Sequence, residues 1–459
     1  FSEGLKTYFP KYEWGNTTRD QFIGEINTAC QDAGLDIDLF AWADQHLKTA
    51  GLNEIEPLVE WSEDGEITSF KIKQTVALPD HPTLRRHKLL VILYDRECNE
   101  ADKIEVTIEA QEITEFPELK GKKAAALFCN GGDQAFVKTL HDPLSLQFFK
   151  KNLSKVENVL HRTLIMRVYA DMVRDRRLAA PEILEVLQEA LPLESDGNLL
   201  QSMLNYAIVA VQHFTPREHH ASQRDLVFDL LWGMLPNSAK KDIKINLFNS
   251  VISFAETKEQ LDKLLAWVDD KPTIEDFEVS TANKWSILVN VFASTEYKQQ
   301  EKEKRLQAML ELDPSDIGKR EEQKCRAALP SAAVKTEYWE QFSNSENTDS
   351  NYLVRAKMAG FLQPSQYELL APFGKKFFND YLGVVRSRSK EFTKAYFQCL
   401  LPAYLNNDEL QDFLKGLITE FSSEEDSGLQ RLAKEQLDDL IRRREAQKLT
   451  AEYFQKSAQ

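Results

Sequence analysis

Residues 1–53 read FSEGLKTYFPKYEWGNTTRDQFIGEINTACQDAGLDIDLFAWADQHLKTAGLN, and the rest of the chain is read outward from them. Phe1, Leu5, Tyr8, Phe9 and Tyr12 recur at three- and four-residue steps, which predicts one apolar helix face, with Pro10 a potential kink. Trp14-Gly15-Asn16 ends that helix: Gly15 is expected to take the left-handed position, and Thr17 with Asp20 suggests a variant capping box. A second run carries Phe22, Ile23, Ile26, Ala29 and Cys30, and a third carries Leu39, Phe40, Trp42, Ala43 and Leu47. Trp14 and Trp42 lie close to apolar stripes and are expected in the core. Three short helices cannot close a core of their own, so this cluster is expected to dock on protein outside the chain. Asn16-Thr17-Thr18 fits a glycosylation acceptor, although a turn-and-cap role accounts for it fully.

After Gly51 the hydrophobic period changes from 3.6 to 2. Thr68 to Gln74 alternates apolar and polar residues, as does Ile104-Val106-Ile108. Leu89 to Leu93 is a continuous apolar run, the pattern of a strand buried on both faces. Ala124–Cys129 and Ala135–Thr139 flank Asn130-Gly131-Gly132-Asp133, which reads as a hairpin connection. Six or seven strands in about 85 residues predict a small antiparallel β-sandwich over 54–141, serving as a spacer.

From Asp142-Pro143 onward the pattern is helical. Stripes include Ile183, Leu184, Leu187, Ala190 and Leu191, then Leu199, Leu200, Met203, Leu204 and Ala207. Breaks recur at Ala180-Pro181, Asp196-Gly197, Pro236-Asn237, Lys271-Pro272, Asp313-Pro314, Pro330-Ser331 and Gln363-Pro364. Paired helices of roughly 40 residues joined by short turns predict a HEAT- or armadillo-like superhelix over 142–459, without a strict sequence repeat. The last helix, with Arg442-Arg443-Arg444, is expected to cap the array with one wet face. The fold class is therefore mostly α with a small β-sandwich and a C-terminal α-superhelix.

The totals set limits on function. The chain has 459 residues, enough for two or three domains, with 42% apolar and 28% charged residues. A net charge of −16 argues against a nucleic-acid partner, since phosphate recognition needs a basic surface. No apolar run approaches the roughly 20 residues that span a bilayer, so no membrane partner is expected. Five scattered cysteines (Cys30, Cys98, Cys129, Cys325, Cys399) include no C-x-x-C pair and fit a reducing, cytoplasmic location. A first residue of Phe in mid-helix suggests a fragment of a longer protein.

Motifs for chemistry are missing. Zinc hydrolysis of the H-E-x-x-H type needs two imidazoles one helical turn apart, a Glu base and a further carboxylate. None of His46, His81, His87, His141, His161, His213, His219 and His220 stands in such a run. His219 and His220 are adjacent, so on a helix their rings would point roughly 100° apart, and a solvated loop pair is the plainer reading. No G-x-S-x-G elbow, phosphate-binding loop or dinucleotide fingerprint occurs. No catalytic residue and no metal ligand is therefore assigned to this chain.

A resemblance joins these readings. Phe1…Gly4-Leu5…Tyr8…Tyr12-Glu13-Trp14-Gly15-Asn16-Thr17-Thr18, followed by Phe40-Ala41-Trp42…Gly51-Leu52-Asn53, resembles the tail of the catalytic domain in the aminopeptidase N family of zinc aminopeptidases. Asp349-Ser350-Asn351…Arg355…Gly360-Phe361-Leu362-Gln363-Pro364, then Leu369-Leu370-Ala371-Pro372, resembles the subfamily found in actinobacteria and several protists. The resemblance implies that 1–53 is the helical tail of a thermolysin-like catalytic domain. It implies that 54–141 is the β spacer and that 142–459 is a helical bowl over the active site. It also implies a parent protein that holds zinc and removes N-terminal residues from peptides, with the zinc ligands and Glu base upstream of Phe1. This chain would bind no cofactor, and its partners would be that upstream catalytic domain and the peptide substrate. By itself it would be inactive.

A bowl that holds peptides needs cations for the substrate's C-terminal carboxylate. Lys284, beside Trp285, and Arg355, within Tyr352-Leu353-Val354-Arg355, adjoin apolar helix positions and are the candidates, with Arg162 and Arg167 competing. Helix-bridging salt bridges or solvated side chains would explain the same positions. A different class of function also remains open: a non-catalytic helical-repeat scaffold that binds a protein partner.

Overall fold

Three helices open the chain: α1 (Ser2–Tyr12), α2 (Arg19–Asp32) and α3 (Leu39–His46). The structure is a computed structural model that describes residues 1–238, 240–271, 274, 277–344, 346–423 and 426–457. Capping of α2 falls one residue later than the sequence suggests. Thr18 is the N-cap, its hydroxyl accepting from the Gln21 N–H while the Gln21 side chain accepts from the Thr18 N–H. The left-handed residue after α1 is Trp14 (φ 61°) rather than Gly15. That conformation throws the indole outward: Trp14 is 100% exposed and Trp42 45%, so neither is the core residue expected. Phe1, Phe9, Phe40 and Leu47 are exposed as well. Ile23, Ile26, Cys30 and Ala43 are all that the three helices bury among their apolar residues.

The strands follow as β1 (Asn53–Trp61), β2 (Ile67–Val76), β3 (His87–Tyr94), β4 (Glu100–Ile108), β5 (Ile113–Glu115), β6 (Ala126–Phe128) and β7 (Val137–Thr139). They make two sheets, ordered β5-β2-β1-β7 and β4-β3-β6. Ile55, Phe70 and Ile72 of the first sheet and Leu89, Val91, Val106 and Ile108 of the second share one buried cluster. The alternation read from the sequence is the alternation of that burial. Two expectations need correction. The segment Asn130–Asp133 is no hairpin, because β6 pairs with β3 while β7 pairs with β1 in the other sheet. For the same reason β1 and β7 run parallel, so the region is not wholly antiparallel. Gly131 serves this crossing through space, not through φ: a Cβ there would meet Ile92 Cγ1 at 2.4 Å.

Helices make up the remainder. They are α4 (Pro143–Asn152), α5 (Val159–Arg174), α6 (Ala180–Ala190), α7 (Gly197–Val209), α8 (Arg217–Met234), α9 (Lys241–Phe254) and α10 (Lys258–Val268). After them come α11 (Thr281–Ala293), α12 (Gln299–Leu312), α13 (Asp316–Ala328), α14 (Ala332–Ser343), α15 (Asn351–Phe361) and α16 (Tyr367–Ser387). The last are α17 (Lys390–Leu400), α18 (Asp408–Glu420) and α19 (Ser427–Ser457). The fold class is mostly α with a small β region, and the chain divides into two compact units at 169/170. Of the expected Lys271-Pro272 break, Pro272 lies outside the described residues.

In the second unit many helices pack on a sequence neighbour, as α8 on α9 and α10 on α11, and several alternate helices pack on one another. α11 lies against α13, α13 against α15, and α15 against α17. The approach of α15 to α13 requires Gly360, since a Cβ there would fall 2.1 Å from the Lys324 carbonyl oxygen. Helices packed in this way bring their C-terminal carbonyls together, where macrodipole ends repel and no water reaches them. Three side chains answer this. Lys302 Nζ donates to the Phe292 and Ser294 carbonyls at the end of α11. Lys335 Nζ donates to Ala327 O (2.7 Å) at the end of α13 and Phe361 O (2.8 Å) at the end of α15. Gln366 Nε2 donates to Ala293 O and Ala328 O. Lys335 is wholly buried, and burial pushes its ammonium down to about 7.

The arginine run of α19 is fastened to other helices rather than turned to water. Arg442 pairs with Asp175 (2.5 Å), Arg443 donates to Ala403 O (2.7 Å), and Arg444 pairs with Asp408 (2.7 Å). Thr450 Oγ1 accepts from the Ala180 N–H, and Tyr453 donates to Glu185. One helix thus ties the start of the second unit to its end, and only its remaining surface is wet.

Replacing Lys335 by Ala leaves two buried carbonyls without a donor and opens a cavity. We expect urea denaturation to register a loss of about 2–5 kcal/mol. Unchanged stability would mean that the carbonyls find other donors.

Candidate functional site

Site chemistry was sought first among the histidines. Among the described residues, no group of three or more His, Cys, Asp or Glu side chains is positioned to hold a metal ion. The described residues therefore do not fit a zinc centre of the aminopeptidase kind. His219 and His220 lie in the first turn of α8, not in a solvated loop. The His219 ring stacks on Phe454 at 3.9 Å, and His220 Nε2 donates to the Thr215 carbonyl. Burial lowers six imidazoles below their ordinary value: His46, His87, His141, His161, His213 and His220. His87 and His213 are held down to about 4 and His141 to about 3. Of these, His87, His141 and His161 are buried, and His46, His213 and His220 are partly so. All five cysteines are free, and only Cys399 is more than marginally accessible.

Each proposed cation has a definite setting. Lys284 Nζ lies 2.5 Å from Asp270 Oδ1, its side chain 14% exposed against 83% for the aspartate. It is a helix-to-loop tether with one wet end. Arg355, half-buried on α15, makes no ion pair among the described residues. Its charge opposes the rise that burial imposes on the Cys399 thiol. Two residues on, Lys357 is paired with Asp349 at 2.6 Å. Arg162 Nη1 donates to the Val156 and Glu157 carbonyls, a local brace at the start of α5, and Arg167 is exposed on the same helix. Lys284 on α11 and Arg355 on α15 stand on helices that both pack against α13.

Two surface grooves flank the first turns of α11, and neither includes Lys284 or Arg355. One, of about 380 Å³, is lined by Trp285, Leu312, Asp313, Ile317 and Glu321 among others. The other, of about 550 Å³, lies between α9 and α11 and includes Phe248, Asn249, Phe277 and Asn283. Trp285 Nε1 donates to Asp313 Oδ2 at 3.0 Å, and the Ser315 hydroxyl bond, with that from Trp285, holds the carboxyl below its ordinary range. Sequence reasoning missed both grooves. Their walls are ordinary helix-end residues from three segments, and Asp313-Pro314 reads only as a break.

The buried imidazoles set an acid limit on stability. A histidine depressed in the folded state binds its proton more readily unfolded, so stability is full above pH 6.5 and falls as pH drops toward 4. The three lowest histidines each contribute up to about 3 kcal/mol to that loss. Thermal midpoints measured from pH 7.5 to 4.5 should be level above pH 6.5 and drop below it. A midpoint that holds to pH 4.5 would contradict neutral burial.

The family model described as ERAP1-like C-terminal domain matches residues 126–442. A curated relative, "Aminopeptidase N" of Streptomyces lividans, is 30% identical over 458 residues, covering 97% of this chain and 52% of the relative. The chain thus spans about half the length of the relative it matches. Helical packing in the second unit, the two-sheet region before it and these two matches lead to one assignment: the chain belongs to the ERAP1-like C-terminal domain family and is a C-terminal part of an aminopeptidase N family protein.

Proposed function

We propose that this chain is the C-terminal portion of a zinc-dependent aminopeptidase that removes N-terminal residues from peptides in the cytoplasm. The observation that carries this reading is the match to "Aminopeptidase N" along 97% of the chain. In this reading the zinc ligands and catalytic groups belong to the other half of the protein. Residues 1–53 are the end of the catalytic domain, 54–141 a β-sandwich spacer, and 142–459 a HEAT-like helical bowl that encloses the active site. The exposed Phe1, Phe9, Trp14, Phe40, Trp42 and Leu47 are then the face that the catalytic domain covers.

Within the bowl, the better carboxylate anchor is Arg355, because Lys284 already has Asp270 as a partner. A guanidinium on a helix, not paid off by a neighbouring acid, can take a peptide's terminal carboxylate by two parallel hydrogen bonds. Lys284 can contribute only by exchanging its exposed aspartate for the substrate.

Zinc content and hydrolysis of an aminoacyl-coumarin should be measured on this chain and on the full-length protein. We expect zinc and turnover in the full-length protein and neither in the chain. A metal-free, inert full-length protein would leave the scaffold reading instead. In the full-length enzyme, Arg355→Met should raise KM several-fold for peptides of eight or more residues, since an ion pair is lost only when the substrate reaches it. The aminoacyl-coumarin, which has no distant carboxylate, should be cleaved as before. Equal loss on both substrates would remove Arg355 from peptide binding.

A further inference from the structure

The joint between α3 and the first sheet is built around a cation with no acid beside it among the described residues. Arg85, 4% exposed, lies in the segment between β2 and β3. Its guanidinium donates to Gln45 O (2.8 Å), Thr49 Oγ1 (2.7 Å) and Ala50 O (3.0 Å), which follow one another through the end of α3. It also donates to Asn53 Oδ1 (3.3 Å) and Thr83 O (3.4 Å). All five acceptors are neutral. Asn53 Oδ1 is also the partner of His87 Nε2 at 2.9 Å, so that nitrogen carries the imidazole's proton. His46, the last residue of α3, lies edge-on to His87 with ring centroids 5.5 Å apart, and its Nε2 is buried without a partner.

The charged groups that bear on His87 are His46 and Arg85, and no carboxylate is among them. Acids nearby are engaged elsewhere or face away. Glu109 pairs with Arg86 at an exposed rim, and Asp44 pairs with Lys48 on the open side of α3. Glu54 follows Asn53 on β1 and so faces the opposite side of the sheet. His81 packs over Gly51, and Asp80 beside it is exposed. A proton on His46 is eased by Trp42, whose ring stacks on it at 5.1 Å. His87, 5% exposed, has no such relief and is the controlling group.

We propose that this joint is an acid-released latch: a second proton on His87 sets a cation against Arg85 with no acid to absorb it, and the helical segment α1–α3 comes away from a sheet region that stays folded. Docked, His87 holds off its proton to about 4, whereas in the opened joint it returns toward its ordinary 6.5. The opened form therefore binds more protons between those limits, and opening is favoured as pH falls. From pH 7 to 4.5 the opening constant rises on the order of fifty-fold.

Hydrogen exchange read by mass spectrometry on this chain at pH 7.0 and 4.5, corrected for the intrinsic acid dependence, tests the latch. Peptides covering 45–53 and 78–87 should exchange on the order of fifty-fold faster in acid, while those covering 89–93 remain far slower to exchange than the joint. His87→Gln keeps a neutral donor to Asn53 and should flatten the step. An unchanged pattern in acid, exchange of 89–93 at the same rate as the joint, or a full step retained in His87→Gln would each overturn the proposal. If that variant does not fold, the wild-type imidazole resonance of His87 decides. Its titration must track the opening and fall well below 6, and a midpoint of 6 or above would overturn the latch.

Discussion

Placing α11, α13 and α15 against one another collects the carbonyl ends of three helices in a dry place. Each end carries about half a negative charge, and buried carbonyls without donors cost about 1–3 kcal/mol apiece. Lys302, Lys335 and Gln366 satisfy six of these carbonyls between them. The stretch Gly360-Phe361-Leu362-Gln363-Pro364 now has a physical meaning. Gly360 lets α15 approach the Lys324 carbonyl, Phe361 presents its own carbonyl to Lys335, and Gln363 Nε2 donates back to Gly360 O. Pro364 then opens the short turn that brings Gln366 to two further carbonyls. This part of what resembles a family motif is a knot of helix ends.

The first unit rests on a related device. Arg85 gathers a carbonyl from the end of α3, one from the turn after it and the side chain of Asn53, so one buried guanidinium joins helix to sheet. Both units thus use a cation where helices end, and both place neutral groups around it. Such sites hold well near neutrality, because a dipole end and several hydrogen bonds replace a counter-ion. They tolerate additional positive charge poorly, which is why the neutral state of His87 matters.

Function follows from what these scaffolds leave open. Residues of α1–α3 expose Phe1, Phe9, Trp14 and Trp42, the surface of a segment that has too few apolar neighbours of its own. In the second unit α19 ties Asp175 and Ala180 to Ala403 and Asp408, fixing the spacing of the helices between.

Local order was legible in the sequence. Period-2 alternation located β2 and β4 and 3.6-period stripes located α6 and α7, because burial of one face imposes those spacings, while a continuous apolar run located β3, buried on both faces. Lys284 and Arg355 could be named as cations beside apolar positions, but their partners could not. Asp270 lies fourteen residues from Lys284, and only the path of the loop brings it within 2.5 Å. Likewise a sequence cannot say that Asn130–Asp133 crosses between sheets, that Trp14 faces solvent, or that Arg442, Arg443 and Arg444 reach three separate elements. Pattern in sequence records which side of an element is buried. What it is buried against depends on contacts between residues far apart along the chain, and those exist only once the helices and sheets have packed.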